Sequence, residues 1–144
     1  MAEPLVIDSR IAVKWLTDEP DSASAISILE KYAEREIELV APDLIFSEIG
    51  NVIWRKVTFE HFAVTDAEAA IDNLNEIVIR TISSFSLFES AFAIAINHKR
   101  TFYDSLYLAA SKYLSCRFVT APERLYNSTR TSFPNIVLLS KWPE

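Results

Sequence analysis

A chain of 144 residues is sized for one compact domain, and with 50% hydrophobic, 12% aromatic and 24% charged residues it can bury a core and is not disordered. Gly50 is the only glycine, which excludes Walker-type phosphate loops and the glycine-rich dinucleotide turn, while a lone Cys116 and two distant histidines, His61 and His98, exclude a disulfide, a multi-cysteine metal cage and a His-rich zinc site. A net charge of −6 lacks the basic footprint of a simple electrostatic nucleic-acid binder, unless bound cations bridge acidic groups to phosphates.

In chain order, Leu5-Val6-Ile7 predicts a buried strand that ends at Asp8 and Ser9. Ser9 to Leu16 follows as a helix with Ile11, Trp15 and Leu16 inward. Pro20 to Arg35 reads as a second helix, with Pro20 in its first turn and acids at its positive start. Leu39-Val40 is a short strand before Pro42, and Asp43 to Val57 is a strong helix. Thr65-x-x-Glu68 resembles a capping box opening a helix to about Glu76. The run 77–82 predicts a third strand. Ser86 to Lys99 and Tyr103 to Leu114 predict two helices, 117–120 a fourth strand, Pro122 to Tyr126 a short helix, and 136–139 a fifth strand. Strands alternating with helices, without a linker or repeat, predict a single α/β domain over residues 1–144, with a mostly parallel sheet covered on both faces. No apolar run approaches the ~20 residues of a membrane span. The start, Met1-Ala2-Glu3-Pro4, lacks the layout of a signal peptide, so a cytoplasmic protein is expected.

Three acids stand where apolar residues belong. In an open α/β sheet, ligands bind at the carboxyl ends of strands where strand order reverses, and Asp8 ends the first strand. It also suits a plain helix N-cap. Glu48 falls between Leu44 and Val52 on the helical wheel, inside the inward arc of its helix. A carboxylate there needs a counter-charge, either a metal ion or an ion pair with Arg55. Asp104 lies between Tyr107 and Leu108 on its wheel, and Thr101-x-x-Asp104 also fits a capping pattern.

Together these acids are expected to crowd one cleft. At ~5 Å and an effective dielectric of about 20, each pair costs roughly 3 kcal/mol, a cost that a divalent cation relieves. Hard oxygen donors favour Mg²⁺ or Mn²⁺, which also take phosphate oxygens and activate water toward a phosphodiester.

The segments Leu5-Val6-Ile7-Asp8-Ser9, Ala41-Pro42-Asp43-Leu44, Ser47-Glu48-Ile49-Gly50-Asn51-Val52-Ile53-Trp54-Arg55, Tyr103-Asp104-Ser105-Leu106-Tyr107-Leu108-Ala109 and Phe118-Val119-Thr120-Ala121, with Arg124-Leu125, occur in this order across nearly the whole chain. This set resembles a PIN domain of the VapC toxin type. The resemblance implies a three-layer α/β/α sandwich on a parallel sheet of about five strands, usually a homodimer. It also implies Mg²⁺- or Mn²⁺-dependent endoribonuclease activity on RNA, restrained by a cognate VapB-type antitoxin. By motif match, Asp8, Glu48 and Asp104 carry over as the catalytic, metal-binding acids, and Ser9 and Thr120 as small hydroxyl residues beside them.

Two positions depart from the pattern. Where the family often has Thr-Ala-Asp after the fourth strand, this chain has Pro122 followed by Glu123, so the fourth acid is missing or shifted by one. Arg10 stands where a small polar residue is common; it is expected to contact phosphate, pair with a site carboxylate, or lie on the surface. The loss at Pro122 leaves a second expectation open, a catalytically weak PIN-like module that binds protein or RNA. A phosphoaspartyl hydrolase or receiver domain is disfavoured, because Asp8-Ser9-Arg10 lacks the Asp-x-Asp pattern and no acidic pair precedes that strand end. Phe85, Phe88 and Phe92, at helical spacing, are expected in the core. Trp15 and Trp54 suit core or partner packing. Lys14, Arg55, Lys56, Lys99 and Arg100 are either RNA-steering charges or scattered surface ones.

Overall fold

The structure, a computed structural model, describes residues 1–142. Five strands, β1 (Glu3–Ile7), β2 (Ile37–Pro42), β3 (Arg80–Ile82), β4 (Arg117–Thr120) and β5 (Ile136–Leu138), form one wholly parallel sheet in the order β3-β2-β1-β4-β5. The helices are α1 (Ser9–Leu16), α2 (Ser22–Ala33), α3 (Ile45–Phe59), α4 (Val64–Asn75), α5 (Ser84–His98), α6 (Phe102–Leu114) and α7 (Glu123–Thr129), with a 3-10 turn at Leu139–Lys141.

From β1 the chain steps outward to β2 and β3, then crosses back past β1 to β4 and β5. Right-handed crossovers therefore put α1 to α4 on one face and α5 to α7 on the other, the expected α/β/α sandwich. Consecutive residues of the central strands are buried, Leu5-Val6-Ile7, Leu39-Val40-Ala41 and Phe118-Val119, because both faces of the sheet are covered.

The departures from sequence expectation are local. Pro20 precedes α2 instead of starting it. The Thr65–Glu68 capping box does not form, since the cap of α4 falls two residues earlier, at Ala63, with no side-chain bond there. Only Arg80–Ile82 of the third strand pairs, as an edge. Phe85, Phe88 and Phe92 are all exposed, a correction to the expected core placement: Leu87, Ala91 and Ile94 turn inward instead. An all-round apolar helix such as α5 has more hydrophobic residues than its one buried face accepts. With a single glycine in the chain, Arg35, His61, Lys99 and Ser115 take the left-handed conformation at or just after helix ends, where glycine is usual. Gly50 itself lies inside α3, with open space around it.

Candidate active site

The topological switch lies between β1 and β4, where the strand order leaves β1 in both directions. Asp8 is the residue after β1, and Thr120 ends β4 on the other side of the switch. The Thr120 hydroxyl donates to Asp8 Oδ2 at 2.8 Å, closing the crevice. Asp8 Oδ1 accepts from the Ile11 backbone N–H at 3.1 Å, so the same carboxylate caps α1. Cap and site residue are one group, and the two readings of Asp8 do not exclude each other. The side chain is buried, and burial raises its pKa; the Arg10 charge and the bonds from Thr120 and Ile11 oppose that rise, while the Asp104 charge adds to it.

Glu48 lies in the first turn of α3 and leans inward, half-buried, as its wheel position predicts. Its partner is not Arg55. Tyr107 of α6 donates its hydroxyl to Glu48 Oε1 at 2.5 Å, linking helices from opposite faces of the sheet. The Tyr107 ring stacks on Phe118 of β4, with centroids 5.8 Å apart and planes 11° from parallel. Burial raises the Glu48 pKa, the Tyr107 bond and the Arg10 charge pull it down, and the Asp8 charge raises it again. Tyr107 is itself held neutral, first by burial and then by its bond to Glu48. Ser9, buried at the start of α1, adjoins both Glu48 and Tyr107.

Asp104 occupies the first turn of α6. Thr101 caps that helix by accepting from the Asp104 backbone N–H at 3.1 Å, which leaves the Asp104 carboxylate free for the crevice. Asp104 Oδ1 lies 3.8 Å from Arg10 Nη2, and Asp8 Oδ2 lies 3.8 Å from Arg10 Nη1. One guanidinium thus stands between the two acids. Arg100 takes the other Asp104 oxygen at 3.4 Å, and its Nε is buried without a partner among the described residues. Next to this group is a cleft of about 250 Å³ lined by Arg10, Val13, Glu19, Val52, Arg55 and Lys56 among others.

A model matching residues 5–129 is that of the PIN domain. The chain belongs to the PIN domain family. Ribonuclease VapC1 of Mycobacterium tuberculosis is 30% identical over 121 residues, covering 83% of this chain and 86% of the relative. A VapC ribonuclease of Mycobacterium bovis is 26% identical over 134 residues, covering 93% and 98%. Among solved structures, a Pyrobaculum aerophilum protein aligns with a TM-score of 0.65 at 18% identity, covering 97% of this chain and 93% of that one. A toxin–antitoxin complex from Klebsiella pneumoniae aligns with a TM-score of 0.64 at 12% identity, covering 94% and 97%. These two structural likenesses establish the fold.

In this PIN domain, Asp8, Glu48, Asp104, Ser9, Thr120 and Arg10 stand in one connected group at the carboxyl edge of the sheet. Glu123 does not join it: it is exposed in the first turn of α7, and Pro122 caps that helix without a side-chain bond. Among the described residues, no three carboxylate, imidazole or thiolate groups converge closely enough to form a ready metal cage. The expected three-acid cluster is therefore looser than the sequence implied, because Glu48 is turned toward Tyr107 and a guanidinium separates Asp8 from Asp104. The donor set nevertheless fits a divalent cation. Asp8 and Asp104 offer hard oxygen, and Arg10 is a stand-in cation placed between them. Tyr107 escaped the sequence reading of the site, and Arg100 entered it only as a candidate RNA-steering charge and not as a partner of Asp104. The available signal was their spacing from Asp104: Tyr107 lies one turn further along α6, and Arg100 stands just before its cap.

Proposed function

We propose that this PIN domain is a metal-dependent endoribonuclease, the toxin of a VapBC-type pair, that cleaves RNA phosphodiester bonds. The observation that carries it is the set of acids gathered at the switch point around a cation position, in a chain whose curated relatives are VapC ribonucleases. Asp8 and Asp104 would hold Mg²⁺ or Mn²⁺, with Glu48 as a further ligand or as the group that orients the attacking water. A bound ion supplies charge neutralisation at the phosphodiester and a more acidic water.

The chain's own groups do the rest. Tyr107 ties down one Glu48 oxygen and Ser9 adjoins the same carboxylate, which fixes its orientation. Burial favours proton uptake at Glu48, as suits a base that must accept a proton from water. Thr120 and the start of α1 fix Asp8 from two sides, so the carboxylate does not rotate when its counter-ion changes. Arg55, exposed at the adjoining cleft, is suited to hold RNA phosphate.

Support for protein partners, a VapB-type antitoxin and a second copy of the chain, comes from apolar residues left on the surface. Phe46, Trp54 and Phe59 of α3 are exposed, as are Phe85, Phe88, Phe92 and Ile96 of α5. Among the described residues, no helix is long and apolar enough to cross a membrane.

The test is cleavage of a structured RNA by the antitoxin-free chain with Mg²⁺ or Mn²⁺. Activity is expected in the wild type and absent in Asp8→Asn and Asp104→Asn; cleavage surviving both substitutions together defeats the proposal. The Arg10 contact and the missing acid at Pro122 favour a second reading, a binding module with weak catalysis. That reading predicts RNA retention without cleavage, and gain of cleavage in Pro122→Asp.

A further inference from the structure

Two carboxylates at a crevice, one of them almost fully buried, need a positive charge whether or not a metal is present. We propose that Arg10 is the resident counter-ion of this site: it holds Asp8 and Asp104 while no divalent cation is bound and yields when one binds. Metal affinity is then set by competition with a side chain of the same domain. This inference rests on the metal-dependent reading above.

Four observations carry it. First, the guanidinium addresses the two acids with different nitrogens, each at 3.8 Å, so it spans the position that a shared cation takes. Second, that distance is beyond hydrogen-bonding range and the Arg10 side chain is 48% exposed, so charge alone holds it and neither packing nor directed bonds prevent its departure. Third, the acids are unequally supplied. Asp104 keeps Arg100 at 3.4 Å if Arg10 leaves, whereas the other partners of Asp8, the Ile11 N–H and the Thr120 hydroxyl, are neutral. Asp8 is thus the group that must exchange one cation for another. Fourth, Arg10 also lines the adjoining cleft, where Glu19 and Glu60 offer carboxylates toward which the released side chain can turn.

The tether sharpens the competition. Arg10 is two residues from Asp8 in the first turn of α1, so its effective concentration at the carboxylate is high and independent of protein concentration. Because both cations claim the same oxygens, the coupling is reciprocal: the factor by which the Arg10 contact weakens the metal is the factor by which the metal weakens the Arg10 contact, and removing Arg10 lifts that penalty.

The experiment titrates Mn²⁺ alone into the full, antitoxin-free chain by calorimetry and follows melting with and without the ion. Arg10→Gln is expected to bind Mn²⁺ about tenfold more tightly than wild type, the equivalent of ~1.4 kcal/mol. It should melt below wild type without metal and lose that deficit at saturating Mn²⁺, while Arg10→Lys stays near wild type in both. On the unaltered chain, the Arg10 side-chain N–H resonance should move as Mg²⁺ is added; a resonance that stays fixed at saturation overturns the proposal even if Arg10→Gln does not fold. Mn²⁺ binding to wild type and Arg10→Gln with equal affinity, or more weakly to the variant, removes Arg10 from the role and leaves the metal site standing. Mn²⁺ binding to neither defeats the metal-dependent reading itself, and this inference with it.

Discussion

Replacing Tyr107 by Phe deletes one hydroxyl and leaves the ring that stacks on Phe118 in place. What is lost is the bond donated to Glu48 Oε1. A hydrogen bond to a charged group contributes about 1.5–3 kcal/mol, and one to a neutral group about 0.5–1.5 kcal/mol. The cost of the substitution therefore depends on whether Glu48 is ionised. Burial already raises the Glu48 pKa and the Tyr107 bond restrains it, so removing the bond raises it further. Below the ordinary carboxylate value of about 4.3 the side chain is protonated in folded and unfolded chains alike, and only the neutral bond is missing. As pH climbs through the wild-type and then the variant value, the folded variant carries an ion it holds less well, and the stability gap widens to its full size. Urea unfolding of metal-free protein at pH 4 and pH 7.5 measures both ends. The loss in Tyr107→Phe should be about 1 kcal/mol larger at the higher pH, with a melting point lowered there by roughly 4–10 °C for a domain of this size. An equal loss at both pH values, or none at either, refutes the assignment of Tyr107 as the group that holds Glu48.

Without metal, Asp8→Asn should melt above wild type at pH 7 by ~2–6 °C, because burial raises the Asp8 pKa and its ionised form therefore costs stability above about pH 4; the gain should shrink as pH falls toward that value, and a lower melting point at pH 7 contradicts it. Thr120→Val removes the bond to Asp8 Oδ2 and should cost about 1.5–3 kcal/mol, with much of that loss absent when tested in the Asp8→Asn background; strictly additive losses would show that the two side chains do not interact. Gly50→Ala, within α3 and facing open space, should gain about 0.5–1 kcal/mol by chemical denaturation with cleavage unchanged.

Residues that report their own surroundings were legible in the chain. The short β-rich runs at 5–7, 39–40 and 117–120 read as buried strands, and their alternation with helices pointed to the sandwich. The helix Ser9–Leu16 was read to the residue, since Asp8 both ends a strand and caps a helix. Glu48 stood out because a carboxylate inside an apolar arc is anomalous by itself. Three further features were not legible, each for a physical reason. Tyr107 looked like any inward aromatic, since its meaning is a hydroxyl meeting a residue 59 positions away. The exposure of Phe85, Phe88 and Phe92 depends on which side of α5 meets α6, and an almost uniformly apolar helix does not specify that side. The start of α4 at Val64 displaced a local capping pattern, because packing against α1 and α3 outweighs a bond worth about 1 kcal/mol.

Sequence by itself determined the layers, the strand edge that carries Asp8, and the acids that belong near it, because strand burial and helix periodicity are set by neighbours within a few residues. Only tertiary structure decided how those acids are held: Arg10 between Asp8 and Asp104, Arg100 behind Asp104, Tyr107 on Glu48 and Thr120 across the switch on Asp8. Electrostatic partners are chosen by distance in space, and that distance does not exist until the strands have been placed side by side.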